Sequence, residues 1–407
     1  MYIWQQQDWP TFQWDTTSLM PLINEIRILQ GRLIGHAAHL SPETNLASQM
    51  DVLVQNAIET SAIEGEMLNA ASVRSSAARR LGLDNWGVER GTPETEQLVQ
   101  MLCEAVTTTD TPLNKDCLCR WQQSLFVERP VFMDPHAIIG DLRQDQPGQP
   151  MAVVSRQGRK EIIHFIAPPS ETLATELAGF LKWFNEDSAN LDGLIRAGIA
   201  HLWLVTLHPF SDGNGRVTRA VADRALAQDE QTSVRFYSMS AAFMRHRNAY
   251  YDALEAAQKG DMDITSWLSW FLETLKQAME RGVSRFMRVL DKSRFWAHFQ
   301  DLDLADRQKK VLNRLLDAEP DEFTLGINAS KYKSIAATSR ATATRDLAAL
   351  VEMGCLEKLP GGGRSTRYKI KLPAAGLNMQ KIDMDQLARE IEDSITPEPK
   401  GINIDPQ

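Results

Sequence analysis

Residues 191 to 207 constrain this chain most strongly. At helical spacing Leu194, Ile195, Ala197, Ile199, Ala200, Leu202, Trp203 and Val205 leave almost no polar side. A helix that is apolar nearly all round has to lie inside a bundle. The expected fold class is therefore mainly α, with other helices wrapped around this one. Candidates lie over 18–40, where Leu19, Leu22, Ile23, Ile26, Leu29 and Leu33 recur at three- and four-residue steps behind a Ser18 cap, and over about 42–64, ending at Gly65. Segments 94–109, 112–127 and 170–186 carry similar patterns.

One stretch breaks the helical habit. Met151 to Ser155 and Glu161 to Phe165 flank Arg156-Gln-Gly-Arg-Lys160, a pattern that predicts a β-hairpin turning over Gly158 and closed by Pro168-Pro169. A lone hairpin needs a surface to pack on, which makes 151–165 a candidate flap over a site.

At 407 residues the chain exceeds what one ordinary core supports. Beyond about residue 297 the pattern changes: helices over 305–318, 329–336 and 340–353 precede Gly354 to Ile370, a wing with a glycine tip. Helix, helix, helix, hairpin is the winged helix-turn-helix order. The expected division is 1–90 as an N-terminal helical region, 91–297 as the core, 298–375 as the winged helix, and 376–407 as a C-terminal helix and tail. A tail past 396 with three prolines reads as disordered.

Composition excludes several classes. Hydrophobic residues at 43% and charged residues at 24% match a globular chain. Four cysteines, Cys103, Cys117, Cys119 and Cys355, are too few and too unevenly spaced for a disulfide framework. No run nears eighteen apolar residues, and Met1 to Pro10 lacks the basic-then-apolar order of a signal segment, so no membrane partner and a cytoplasmic location are expected.

The chemistry concentrates in His208-Pro-Phe-Ser-Asp-Gly-Asn-Gly-Arg-Val-Thr-Arg219. This loop joins the apolar helix to a further helical pattern. Two glycines and an asparagine at a helix N-terminus leave backbone N–H groups outward, where the helix dipole favours an anion such as a nucleotide phosphate. Arg216 and Arg219, three apart, share one face of the first turn. Asp212 is a carboxylate beside the expected phosphates, which points to Mg²⁺. His208 can accept a proton near neutral pH. The loop offers no nucleophile of its own.

The stretch resembles the Fic family signature H-P-F-x-(D/E)-G-N-G-R-x-x-R at every defined position. The resemblance implies a protein adenylyltransferase that moves AMP from ATP to a Ser, Thr or Tyr hydroxyl of a target protein and releases pyrophosphate. It implies His208 as general base, Asp212 as the Mg²⁺ ligand, Gly213, Asn214 and Gly215 as the phosphate nest, Arg216 and Arg219 on the β- and γ-phosphates, and Phe210 as a core anchor. Thr60-Ser-Ala-Ile-Glu-Gly65 fits the family's inhibitory pattern (S/T)-x-x-x-E-(G/N), which implies that Glu64, at the ATP site, pairs with Arg219 and restrains the enzyme. Glu64 would also breach a local rule, since a carboxylate at a helix C-terminus opposes the dipole. The flap would hold the target segment by strand addition. Tyr250 and Tyr251 stand where relatives bring aromatics to adenine, and Gln258 where some have an asparagine near the nucleotide.

Between 329 and 370 eight basic residues, Arg340, Arg345, Arg364 and Arg367 among them, face three acidic ones inside a chain of net charge −9. A local excess of +5 suits phosphate contact, although winged helices also bind proteins; DNA contact, protein contact and a homodimer all stay open. Two rival functions share these residues: a DNA-binding regulator whose Fic core senses nucleotide, and a hydrolase that removes AMP.

Overall fold

The computed structural model describes residues 1–37, 42–83, 91–127, 133–146, 148–157, 160–232, 235–318, 322–361 and 366–373. They divide into two compact units, Met1–Phe286 and a second that starts at Met287. Both are built mainly from helices.

In the first unit, α1 (Thr16–Ala37), α2 (Pro42–Ile63), α3 (Ala70–Arg80), α4 (Pro93–Thr107), α5 (Lys115–Ser124) and α6 (Leu173–Lys182) surround α7 (Gly193–Leu207) and α8 (Asn214–Glu230), followed by α9 (Met239–Arg245), α10 (Arg247–Gln258) and α11 (Thr265–His298), the last running on into the second unit's residues. Every α7 residue except Gly193 and Arg196 is buried, as its sequence requires. Asp192 starts it by accepting the Leu194 and Ile195 amides, a conventional N-cap. Around Trp203, rings of Trp9, Phe12, Phe180 and Trp183 close at 5.3–6.1 Å.

The hairpin forms as β1 (Ala152–Gln157) and β2 (Lys160–Ile166), antiparallel, with the register slipping by one between Val153 and Val154. Its turn at Gly158 and Arg159 lies outside the described residues. The N-terminal segment seats it: the Trp4 indole donates to the Ile166 carbonyl at 2.7 Å. The α1 cap departs from expectation. Thr17 and Ser18 amides donate to Asp15 Oδ1, so Asp15 caps a helix that starts two residues before Ser18; Asp outcompetes the hydroxyls of Thr16, Thr17 and Ser18 for the same orphan amides.

In the second unit, α12 (Asp306–Leu316), α13 (Ala329–Ala336) and α14 (Arg340–Glu352) precede β3 (Leu356–Lys358) and β4 (Tyr368–Ile370), which pair antiparallel. Ile327 bridges Tyr368 from the outer side. Phe295, Val311, Leu312, Tyr332, Leu347 and Leu350 are fully or almost fully buried in one core. The helix and tail expected over 376–407 lie outside the described residues. Among the described residues no helix is long and apolar enough to cross a membrane.

Candidate active site

The loop between α7 and α8 is held from all sides by buried polar groups. α7 ends at His208, which takes the left-handed conformation (φ 49°) and donates its N–H to Leu204. A residue with a Cβ pays roughly 1–3 kcal/mol for that backbone, a strain that persists where surrounding contacts over-determine it. Arg143, 3% exposed, supplies them: its Nε donates to the His208 carbonyl at 2.7 Å and its Nη2 to the Pro168 carbonyl at 2.5 Å. One guanidinium thus ties the base of the hairpin to the catalytic candidate. Gln122, fully buried, donates to the Asp212 carbonyl and accepts from Gly140. Phe210 is fully buried, as the sequence implied.

The Asn214 side chain braces the loop. It accepts from the Phe210 amide at 2.9 Å and donates to the Phe210 carbonyl at 2.7 Å, closing the loop on itself. Only the Asn214 backbone N–H remains for an anion. Gly213 (φ +83°) provides the α8 N-cap and has no side chain to accept from the first amides of α8. The His208 ring is half-buried. Burial depresses its pKa to about 4, Arg143 pulls the same way, and the Val205 carbonyl and Glu64 oppose them. At neutral pH the ring is a free base.

Opposite the loop, the segment just after α2 presents two carboxylates. Glu64 Oε1 accepts from Arg219 Nη2 at 2.8 Å, and Arg219 also donates to Thr60 through Nε to Oγ1 and through Nη2 to the carbonyl, both at 2.8 Å. Glu66 accepts from Arg216 Nη1 at 2.6 Å. Burial alone would raise the Glu64 carboxyl; Arg219 brings it below its usual value instead. Gly215 makes room: a Cβ there would stand 2.2 Å from Glu64 Oε1. Arg247 Nε and the Tyr251 hydroxyl both donate to the Ile63 carbonyl, at 2.9 and 3.3 Å, holding the residue before Glu64.

The two tyrosines separate. Tyr251 is 38% exposed and sits beside Glu64, whereas Tyr250 is 2% exposed, stacked on Phe243 at 4.8 Å and bonded to His201. Tyr250 is packed into the core, next to Arg219. Gln258 is likewise buried, donating to Thr206. Arg143, Gln122 and Glu66 escaped sequence reasoning. Glu66 alone had a signal, a second acid two residues after Glu64.

Asp212 is exposed, and its Oδ1 accepts from Gly213 at 2.6 Å. Among the described residues no three acidic, His or Cys side chains gather into a metal site. One carboxylate fits Mg²⁺, which commonly takes one or two carboxylates and completes its shell with phosphate and water.

Residues 112–226 match the Fic/DOC family, and residues 2–83 match a domain of unknown function, DUF4172. The chain is 25% identical over 224 residues to protein adenylyltransferase Fic of Aedes aegypti, covering 54% of this chain and 40% of that protein. It is 24% identical over 216 residues to the Culex quinquefasciatus protein of the same name, covering 53% and 39%. The chain thus spans about two fifths of the length of these curated relatives. Among solved structures, a Fic family protein from Desulfovibrio desulfuricans G20 aligns at TM-score 0.49 and 18% identity, covering 90% of this chain and 99% of that one. Fic-1 from C. elegans aligns at 0.47 and 21%, covering 68% and 76%.

Proposed function

We propose that this chain, which carries a Fic/DOC domain, is a self-restrained protein adenylyltransferase that moves AMP from ATP onto a hydroxyl of a protein. The observation that carries the reading is the loop itself: a free-base imidazole, first-turn helix amides with no side-chain cap and two buried guanidiniums converge within His208 to Arg219. Nucleotidyl transfer needs positioning and charge neutralisation more than covalent help from the protein.

In this reading His208 takes the proton from the attacking hydroxyl, while Arg143 and Gln122 hold the loop in place. The α8 amides of Asn214, Gly215 and Arg216 receive phosphate oxygens. Arg219 and Arg216 bind the distal phosphates once Glu64 and Glu66 let go. Asp212 would hold Mg²⁺, which when bound neutralises phosphate charge. Tyr251 borders the nucleotide; the target segment adds to a free edge of the hairpin, whose cross-strand pair Val154 and Ile163 is 43% and 52% exposed.

For the second unit we infer contact with duplex DNA. Arg340, Ala341, Thr344, Arg345 and Ala348, with Glu352 at its C-terminal end, form the exposed face of α14, small residues between cations over its first two turns, a composition that admits close approach to a groove there. Lys333 and Lys358 are also exposed. Of the wing arginines, Arg364 lies outside the described residues, and Arg367 donates to the Gly326 carbonyl, a contact at the root of the wing.

Incubating the full chain and a Glu64→Gly variant with ATP labelled on the α-phosphorus, then with ATP labelled on the γ-phosphorus, tests the enzyme reading. Covalent retention of the α-label alone supports AMP transfer. Retention of neither label favours a nucleotide sensor or an AMP-removing hydrolase.

A further inference from the structure

Residues 2–83, the segment that matches DUF4172, fasten to the rest of the first unit at three separate places. Late in the segment, Glu64 and Glu66 hold Arg219 and Arg216. In its middle, Arg27 of α1 donates through Nη2 to Asp192 and to Asp229, both at 2.9 Å. Asp192 caps the start of α7 and Asp229 lies in the last turn of α8. That fastening is therefore at the end of the helix pair away from the 208–219 loop.

The beginning of the segment grips the hairpin. The Trp4 indole N–H donates to the carbonyl of Ile166, the last residue of β2, and the next residue, Ala167, donates to the Met151 carbonyl at 2.9 Å to close the hairpin. The Tyr2 ring stands edge-on to the buried Phe165 ring at 5.2 Å. Residues 2–13 are themselves fixed to the frame. Ile3 is fully buried, Gln6 donates to the Gly260 carbonyl at 2.8 Å, and the Gln13 amide donates to the Met262 carbonyl at 2.8 Å. Trp9 and Phe12 pack their rings on Trp203 of α7.

The hairpin depends on such grips. Two strands alone are marginally stable, and among the described residues no third strand joins either edge. Arg143 and Glu255 hold it from the Fic side, through the Pro168 carbonyl and His164; Trp4 and Tyr2 hold it from the DUF4172 side. One segment thus reaches both the arginines that ATP needs and the strand edge that a protein target needs, with opposite senses. Glu64 and Glu66 withdraw groups from ATP, whereas Trp4 and Tyr2 order in advance a surface that the target would otherwise have to order on binding, at a loss of affinity.

We propose that the DUF4172 segment is a control module with two outputs: Glu64 and Glu66 restrain the ATP site, and Trp4, as a positioning residue, presets the hairpin for an extended polypeptide that adds to it as a strand. This rests on the transfer reading above. The outputs are separable. Loss of Trp4 removes binding that is equal in ground and transition states, which raises KM for the protein substrate and leaves kcat alone; loss of Glu64 raises turnover.

The test uses the full-length Glu64→Gly chain as enzyme, with and without Trp4→Phe, and the full-length His208→Ala chain as protein probe, with ATP and Mg²⁺. Phenylalanine keeps a ring and removes the indole donor. The loss of one ordinary hydrogen bond corresponds to about a two- to tenfold effect. Amide exchange over 152–157 and 160–166 should quicken by that factor while the α7 amides stay unchanged. KM for the probe should rise by a similar factor, with kcat and the calorimetric ATP affinity within about twofold. Unchanged hairpin exchange, or an unchanged KM despite faster exchange, overturns the role of Trp4 and leaves the transfer reading standing. A parallel fall in ATP affinity makes Trp4 a general prop of the fold and overturns its role equally. AMP on the enzyme but never on the probe overturns the second output alone. AMP on neither chain in any variant overturns the transfer reading, and the module with it.

Discussion

Two sets of basic side chains, one in each unit, are kept in opposite ways. Arg216 and Arg219 are 3% and 2% exposed, and each is occupied by a carboxylate from the segment just after α2. Lys333, Arg340 and Arg345 stand exposed in the second unit and make no ion pair among the described residues. A buried guanidinium must be neutralised when no ligand is present, because an uncompensated interior charge is strongly unfavourable; solvent does that for the exposed ones. The first set is therefore strong and locked, while the second is weak, available at all times and screened by salt. Activity in the first unit should respond to changes that remove a lock, and binding in the second to changes that remove a charge.

The largest effect expected at the locked set concerns the base that it serves. In a Glu64→Gly background, His208→Ala should lower AMP transfer by about 10²–10⁴-fold with ATP binding held within a few-fold, since a general base acts on the transition state; kcat/KM and calorimetric titration would separate the two. Its pH dependence follows from the low pKa. The folded value of about 4 lies below the ordinary value of 6.5, so the native state loses stability as pH falls from 6.5 towards 4, and the ring stays a base throughout neutral pH. The acid limb of kcat/KM should then fall closer to pH 4 than to 6.5. A limb at 6.5 would place the ring in solvent.

Glu66 sharpens the contrast within the locked set. Its side chain is 45% exposed against 31% for Glu64, and a half-solvated pair contributes about 0.2–1 kcal/mol. Glu66→Gln should accordingly raise transfer by no more than about fivefold. A gain as large as that of Glu64→Gly would make Arg216, rather than Arg219, the main point of restraint.

At the exposed set, Arg340→Ala and Arg345→Ala should each weaken duplex binding of the full chain uniformly over sequence. Each lost phosphate contact lowers the log–log salt slope by about 0.9, read by fluorescence anisotropy between low and physiological salt. Unchanged slopes would favour protein contact for α14.

How much of this was legible in the sequence depends on the range of the interaction. The buried α7, the hairpin, the order of helices and wing in the second unit, and the 208–219 loop are set by local pattern, and each was readable. The Glu64–Arg219 pair, 155 residues apart, became visible only through a resemblance, because nothing local in Thr60 to Gly65 names its partner. Arg143 and Gln122 left no trace: a lone arginine or glutamine in a loop or helix looks solvated until the fold encloses it. Tyr250 and Tyr251 show the same limit. Adjacent helical residues differ by about 100° around the axis, and that angle sends Tyr250 into the core and leaves Tyr251 at the site.

The contact that defines the locked set can be tested through its reversal. AMP incorporation would be followed by intact mass in the wild type, Glu64→Gly, Arg219→Ala and the double variant, with ATP and Mg²⁺ in excess. A pair favouring the closed arrangement by roughly 3 kcal/mol leaves about one molecule in a hundred competent. Glu64→Gly should therefore gain about 100-fold over the wild type, and Arg219→Ala in that background should remove the gain. An unchanged rate in Glu64→Gly, or a fully active double variant, would contradict a site restrained by its own carboxylate.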